Sequence, residues 1–414
     1  METEVRVEKQ QIAKRKRAWF SVNTIPWFMG FSNDLMFYIA INTLFLTTAK
    51  NLNASQISFF TTVPCLFYIL LQRPFLKIIK KIGNTKSVRL GTIILLLGSI
   101  IITFAESYYL MMIGQILYTI SFLFKSMDNV MLKNDLTYLG KKEDYIKYKN
   151  KSSIIYSVVT TIIALCAGFL FNINYYLPMY LCIAVCLINV LISFKLTDEN
   201  EQVSKEETTT IDRKKVRFSF VILLIMLSYG IFYATISTGQ TNVKLFIQYQ
   251  LGNYFDIGIT ATYFSYILVM SRISRVLSNI GFYKIYDKVK DKIGYYLPIL
   301  CGAAFLIVII GSFIPKLLIK FVLMSIGFCI ILGIRDVFST YIQDLLLKKA
   351  KPAEQQASIS YLGLSRKIGE TSISFIFSLM LLKVDLFYII VSLVILSLIS
   401  FMINFKLYKM VRSD

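Results

Sequence analysis

Long apolar runs separated by short polar loops dominate this chain. A helix needs about 20 mostly apolar residues to cross the hydrocarbon core of a bilayer, and twelve of the runs meet that requirement. We therefore predict an all-α integral membrane protein with twelve transmembrane helices. They are numbered 1 to 12 and predicted at residues 19–48, 56–79, 88–105, 108–136, 152–171, 177–194, 218–249, 257–282, 295–314, 317–347, 354–382 and 386–405.

One long polar stretch, 195–217, divides the helices into two sets of six. Its composition is typical of a solvated linker. The predicted domains are a basic tail (1–18), a six-helix bundle (19–194), a cytoplasmic linker (195–217), a second six-helix bundle (218–405) and a tail (406–414). Helix 2 is followed by Lys-Lys-Ile-Gly at 80–83, and helix 8 is followed by Asp-Lys-Ile-Gly at 291–294. The separation of these two segments along the sequence is nearly the same as that between Asp135 and Asp344. This repetition favours two pseudo-symmetric bundles.

Composition agrees with a membrane location. The chain is 56% hydrophobic with a mean hydropathy of +0.62, which is too apolar for a soluble protein. The net charge of +21 is concentrated in the tails and the inner loops, and only four of the 45 Lys and Arg residues lie at the outer side: Lys50, Lys316, Lys320 and Lys383. The positive-inside rule therefore predicts a multi-pass cell-membrane protein with both termini cytoplasmic. Anionic membrane lipid explains the basic charge better than nucleic acid does.

Several kinds of chemistry are excluded or disfavoured. The chain has no His, and its six Cys lie within apolar runs, so we expect no metal site, cofactor or disulfide. The phosphate-binding loop of ATPases is absent from the sequence. The outer loops are too short for a membrane-embedded transferase, and nothing in the loops supports a receptor, so we predict no enzymatic activity. The abundance of Ile, Lys, Asn and Tyr favours an AT-rich bacterial genome.

Asp34 lies near the middle of helix 1, close to the predicted bilayer midplane. A carboxylate there costs several kcal/mol unless it faces protein or water. Gly30, Asp34, Tyr38 and Asn42 recur every four residues and would share one face of a continuous helix. Asp34 is interpreted either as a substrate or proton site or as the structural partner of a basic residue.

The loops after helices 2 and 8 carry a family motif in degraded form. The motif reads Gly-x-x-x-Asp-(Arg/Lys)-x-Gly and has four fixed positions. In the first copy these positions are occupied by Leu76, Lys80, Lys81 and Gly83. In the second copy they are occupied by Asp287, Asp291, Lys292 and Gly294. Together with the two six-helix halves, these loops resemble the major facilitator superfamily over essentially the whole chain. The Gly-Pro-Gly-rich antiporter signature of the family is missing from helix 5.

The resemblance implies that helices 1, 4, 7 and 10 line a central cavity while 3, 6, 9 and 12 are outer supports. The charge pattern agrees, because the support helices carry almost no charge. The buried charges fall instead on helices 1, 4, 8, 10 and 11, at Asp34, Lys125, Asp128, Arg272, Arg275, Arg335, Asp336, Arg366, Lys367 and Glu370.

The predicted substrate or proton site consists of Asp34, Tyr38, Lys125, Asp128, Tyr233, Gln240, Arg335 and Asp336. Lys125 and Asp128 share one helix face, and Arg335 and Asp336 lie at the matching depth on helix 10. The alternative is that these charges are neutralising pairs that dock the two halves. Arg272, Arg275, Arg366 and Glu370 are interpreted as structural braces or coupling residues. Because the signs are roughly balanced, the sequence does not indicate the charge of the cargo.

These observations predict a secondary active transporter of a small solute that works by alternating access. Proton coupling is favoured because four buried acids are candidate proton carriers: Asp34, Asp128, Asp336 and Glu370. The alternative is a flippase for lipid-linked cargo, which would need an apolar lateral opening.

The degraded motif also predicts an inner gate. In the family, the motif Asp lies near the start of helix 11. Here Lys80 takes that position and Glu354 begins helix 11, so the signs are swapped; Lys81, Gly83, Asp291, Lys292 and Gly294 complete the predicted gate. Exposed pairs contribute only ~0.2–1 kcal/mol each, so this latch would bias populations.

The charge-swapped double variant Lys80→Glu, Glu354→Lys should recover the transport that either single variant loses, because the swap restores the attraction. Transport by the two single variants and the double variant measures this. Failure of the double variant to recover would contradict the latch.

Overall fold

Helices account for the regular structure of the chain. The computed structural model describes residues 2–32, 34–141, 144–199, 219–289, 292–349 and 355–413, and no strand occurs within them. This confirms the all-α prediction. Ten of the predicted helices are continuous: Ala54–Ile82, Asn84–Phe104, Tyr145–Ile173, Leu177–Lys195, Phe220–Gly252, Ile257–Val289, Ile293–Phe313, Leu317–Lys349, Gln355–Met380 and Leu386–Ser413.

Helices 1 and 4 differ from the prediction because each is interrupted. Helix 1 consists of Glu2–Ser32 and Met36–Leu44, followed by a π-helical segment at Phe45–Ala49. Helix 4 consists of Tyr108–Lys125 and Asp128–Tyr138. The predicted basic tail is helical from Glu2 onward, as its Glu, Gln, Lys, Arg and Ala content favours.

The break in helix 1 removes the predicted common face. The four-residue repeat from Gly30 to Asn42 requires an unbroken helix, but regular helix stops at Ser32 and resumes at Met36. Gly30 packs against Ile155 of helix 5, where an added Cβ would lie 2.6 Å from a side-chain methyl. The positions before and after the break therefore belong to separate helical segments.

Charge also distinguishes a subset of the helices. In the part of the chain that the structure describes, nine helices are long and apolar enough to cross a membrane. Helices 1, 8 and 11 are the predicted spans that fall short, and each carries charged residues near its centre. Their apolar content is reduced by the residues that the sequence singles out as functional.

The chain forms two compact units. The first contains the residues up to Ala40 together with those from Leu66 to the linker, and the second contains Ile41–Cys65 together with the residues after the linker. Part of the predicted linker is fixed in the first unit, because the Asp198 carboxylate accepts hydrogen bonds from Asn84 and Asn134. The rest of the linker lies outside the described residues.

Glycines allow helices 3 and 4 to approach closely in the first unit. A Cβ added to Gly98 would lie 2.9 Å from the carbonyl oxygen of Gly114 and 2.9 Å from the backbone nitrogen of Tyr118. In the second unit, a Cβ added to Gly327 of helix 10 would lie 2.7 Å from the carbonyl oxygen of Ala304 in helix 9. Small residues permit such backbone contacts between membrane helices.

Substitution Gly98→Ala should lower the free energy of unfolding by about 1–3 kcal/mol, because the new methyl group must push two backbones apart. Gly363→Ala in helix 11 is the matched control, since an added Cβ there meets nothing within 4 Å. The control should be neutral or stabilising by up to ~1 kcal/mol. Thermal unfolding of both purified variants measures the difference, and equal stabilities would contradict the close packing.

Candidate functional site

The break in helix 1 exposes a backbone carbonyl at membrane depth, and a lysine satisfies it. Lys125, the last residue of the first segment of helix 4, donates a hydrogen bond from its ammonium to the carbonyl oxygen of Ser32. The Lys125 residue is 3% exposed, and its ammonium also lies 5.0 Å from the centre of the Phe122 ring. The ammonium thus compensates for a helical hydrogen bond that the break removes.

The Asp34 carboxylate lies within the same break. It accepts a hydrogen bond from the hydroxyl of Tyr118 in helix 4 and one from the backbone N–H of Leu35, at 3.2 Å. Asp34 as a whole residue is half-buried. It therefore combines a hydrogen-bonded carboxylate with partial burial.

The outer segment of helix 1 continues from this carboxylate. The backbone N–H of Tyr38 lies 3.4 Å from the sulfur of Cys182 in helix 6, and Tyr38 is buried. Asp128 begins the second segment of helix 4 and is also buried, with its carboxylate accepting from the Asn129 amide at 2.7 Å. An acid in the first turn of a helix interacts favourably with the helix dipole. The first unit thus brings Asp34, Tyr38, Lys125 and Asp128 to the breaks in helices 1 and 4.

In the second unit, Asp336 of helix 10 is shared by two arginines. Arg275 of helix 8 donates from Nε at 2.9 Å and from NH2 at 2.5 Å to one carboxylate oxygen. Arg335 donates from Nε at 3.2 Å to the other oxygen, and its NH1 reaches Gln240 of helix 7 at 3.2 Å. Arg335 and Asp336, the predicted pair on helix 10, are therefore part of a cluster on helices 7, 8 and 10. Arg272 lies one turn before Arg275 and is half-buried.

A second charged cluster lies on helix 11. Glu370 pairs with Lys367 at 2.9 Å and with Arg366 at the longer distance of 3.8 Å. The Arg366 guanidinium lies 4.7 Å from the centre of the Tyr233 ring, so helix 7 contacts helix 11.

Glu370 also lines a small polar cavity between helices 2, 7 and 11. The cavity has a volume of about 90 Å³, and its walls consist mainly of hydroxyl groups from Ser and Thr residues. The side-chain oxygen of Asn242 is buried there and accepts no hydrogen bond from the described part of the protein. A cavity of this size and polarity is able to hold water.

The outer part of helix 1 is bound to helix 7 within the second unit. Lys244 donates from its ammonium to the Asn42 side chain at 2.7 Å, and Gln248 donates to the hydroxyl of Thr47. These contacts were not predicted, although the sequence places a single charge, Lys244, near the outer end of helix 7.

The predicted inner gate is only partly described. Lys80 and Lys81 are exposed in the last turn of helix 2, and Gly83 adopts a φ of 91° before helix 3 begins. Lys292 is exposed just before helix 9. A Cβ added to Gly294 would lie 2.8 Å from the Tyr341 ring, so the ring packs directly against this glycine. Asp291 and Glu354 lie outside the described residues, so the latch stays a prediction.

Sequence reasoning missed two partners in the first unit, the Tyr118 hydroxyl and the Ser32 carbonyl. Tyr118 precedes Lys125 by seven residues, which is two helical turns, so the spacing on helix 4 contains a signal for the shared face. The Ser32 carbonyl had no such signal, because a backbone group becomes available only where the helix breaks.

The chain belongs to the major facilitator superfamily. The model of this family matches residues 26–374. Its membership confirms the resemblance predicted from the loop motif and the twelve-helix organisation. The protein is thus a multi-pass membrane protein with the fold of a transporter family.

Solved transporter structures share this fold at low sequence identity. The nucleoside transporter NupG superposes with a TM-score of 0.71 at 12% identity, covering 95% of this chain and 98% of its own. A bacterial homologue of the human lysosomal transporter Spinster gives 0.67 at 12%, covering 96% and 97%. A bacterial homologue of the iron transporter ferroportin gives 0.66 at 12%, covering 96% and 99%. No curated protein sequence matches the chain.

Substitution Lys125→Leu should lower the free energy of unfolding by about 3 kcal/mol, because the buried Ser32 carbonyl loses its donor and nearby carboxylates lose a positive charge. The matched control is Lys133→Leu, an exposed position on the same helix, which should change stability by less than ~0.5 kcal/mol. Thermal unfolding in detergent compares the two. Wild-type stability of the Lys125 variant would show that the ammonium does not hold the break.

Proposed function

We propose that the protein is a secondary active transporter that moves a small solute across the cell membrane by alternating access and couples this movement to protons. One observation carries the proposal: a half-buried carboxylate, Asp34, lies in the break of helix 1, near the bilayer midplane that the sequence predicts. Ionisable residues inside membrane proteins are costly, and they commonly mark substrate or proton pathways.

The contacts of Asp34 support a proton-exchanging role. The Asp34 carboxylate accepts hydrogen bonds from the Tyr118 hydroxyl and the Leu35 N–H, while the Lys125 ammonium donates to the Ser32 carbonyl. Protonation of Asp34 would remove its negative charge and change the hydrogen bond with Tyr118. Protonation of Asp34 would therefore change the contacts at the break between the two segments of helix 1.

The position of the break supports coupling to a conformational change. Before it, helix 1 is fixed to helix 4 through Ser32, and after it Asn42 and Thr47 bind helix 7. Discontinuous helices in transporters place ion sites next to segments that are able to move separately. Asp34 would thus act where a local charge change alters the angle between two helical segments.

Transport into proteoliposomes tests the proposal. Sugars, amino acids, nucleosides, carboxylates and sugar phosphates would each be offered with and without an inwardly directed proton gradient. We expect one class to accumulate in a gradient-dependent manner. Asp34→Asn should abolish accumulation but keep the exchange of labelled for unlabelled solute, because the amide binds no proton at neutral pH.

Glu106→Gln provides the control, since Glu106 is an exposed carboxylate in the loop before helix 4. It should accumulate solute as the wild type does. Gradient-driven accumulation by Asp34→Asn at the wild-type level would refute proton coupling through Asp34.

A further inference from the structure

The charged residues at the centre of the second unit have unequal signs. The middle turns of helices 8, 10 and 11 carry five cations and two acids: Arg272, Arg275, Arg335, Arg366 and Lys367 against Asp336 and Glu370. The rough balance of signs over all the buried helices concealed this local excess. Surplus charge at membrane depth is costly, so such a cluster is favoured where an opposite charge is bound during the functional cycle.

Three of these cations lie near the middle of their helices. Arg275, Arg335 and Arg366 each lie within two residues of the centre of their helices, Ile257–Val289, Leu317–Lys349 and Gln355–Met380. They are also partly accessible, because the side chains of Arg275, Arg335 and Arg366 are 23%, 22% and 34% exposed. The cluster is therefore open to a ligand to a degree that a sealed structural ion pair is not.

Helix 7 joins the two clusters through aromatic side chains. The Arg366 guanidinium stacks on Tyr233, and the Tyr233 ring lies 5.4 Å from that of Tyr229. The hydroxyl of Tyr229 lies 3.0 Å from that of Ser339, one turn after Arg335 on helix 10. This chain of contacts places hydroxyl donors between the helices that carry the guanidinium groups.

Arg366 has hydrogen-bonding capacity that the described residues do not use. Its Nε is buried and makes no hydrogen bond within the described ranges, and Glu370 lies 3.8 Å from it, beyond hydrogen-bonding distance. Glu370 makes its shorter contact with Lys367, at 2.9 Å. An unsatisfied buried guanidinium N–H is costly, and an oxyanion is the ligand that satisfies it best.

We propose that Arg366 and Arg335, with the hydroxyl groups of Tyr229 and Tyr233, bind an oxyanion group of the cargo, either a phosphate or a carboxylate. Guanidinium groups bind both through paired hydrogen bonds. Arg275 is already engaged by two contacts to Asp336, so it positions that acid and Arg335 rather than binding the cargo. This inference rests on the proposed transport function and specifies its substrate class.

Binding to the purified full-length protein tests the inference through matched pairs of compounds. The pairs are glucose 6-phosphate with glucose, glutarate with glutaramide, and geranyl phosphate with geraniol. We expect the charged member of at least one pair to raise the thermal unfolding midpoint while its uncharged partner does not. A shift with the first two pairs indicates a water-soluble anion, and a shift with geranyl phosphate alone indicates a lipid-linked one.

Arg366→Gln should weaken the apparent affinity for the binding anion by roughly ten- to hundredfold, the loss expected for a charge-assisted hydrogen bond. Arg366→Lys keeps the charge without the planar fork and should lose less, which separates binding from folding. Lys348→Gln is the control, because it removes one positive charge at an exposed pair with Asp344 at the end of helix 10. It should bind as the wild type does.

The inference is overturned if every anion that shifts the midpoint is matched by its uncharged partner, if no charged member shifts it, or if folded Arg366→Gln binds the anion unchanged. These measurements require no proton gradient. A proton-coupled carrier of neutral solutes would show no selective shift with the anions but would lose accumulation in Asp34→Asn. An anion binder without proton coupling would show the selective shift but no accumulation that depends on the proton gradient.

Discussion

The hydrogen bond from the Lys125 ammonium to the Ser32 carbonyl is the interaction on which the first unit depends. A helix inside the bilayer core cannot leave a backbone carbonyl facing hydrocarbon without a hydrogen-bond donor. Helix 1 is therefore able to break beside Asp34 only where another helix supplies a donor. Helix 4 ends its first segment at that donor, so the two interruptions support each other. The close contact of helices 3 and 4 at Gly98 holds this part of helix 4 in place.

Buried charged groups have different kinds of hydrogen-bond and ion-pair partners in the two units. In the first, an ammonium and a phenol hydroxyl act on a backbone carbonyl and a carboxylate, each through a single hydrogen bond. In the second, each acid is shared by two cations, so that Asp336 and Glu370 fix Arg275 and Lys367 tightly and hold Arg335 and Arg366 more loosely. This unequal sharing gives the second unit a rigid part and an adaptable part within one cluster.

The hydrophobic pattern predicted the all-α membrane fold, and the loop motif together with the twelve-helix organisation predicted the family. Charges at Asp34, Lys125, Arg335 and Asp336 stand out in apolar runs because hydrocarbon tolerates few of them, so their importance could be predicted. The break at Asp34 was missed although Ser32, Asn33 and Asp34 are residue types that favour caps and turns over helix interiors. The Lys125 donor beside it comes from helix 4, which only folding brings close. The partnership of Arg275 with Asp336 escaped prediction as well, because it joins residues 61 positions apart that only folding brings together.

The low apolar content of helices 8 and 11 has a consequence for how the protein enters the membrane. A central Arg or Lys costs about 2.5–3.5 kcal/mol on insertion scales, and helix 8 carries two such residues. Neither helix is apolar enough to partition into the bilayer by itself. Arg275 pairs with Asp336 on helix 10, and helix 10 is synthesised after helix 8. Insertion of helix 8 is therefore favoured once helix 10 is available to pair with it, whereas helices 7, 9, 10 and 12 are long and apolar enough to cross a membrane without such a partner.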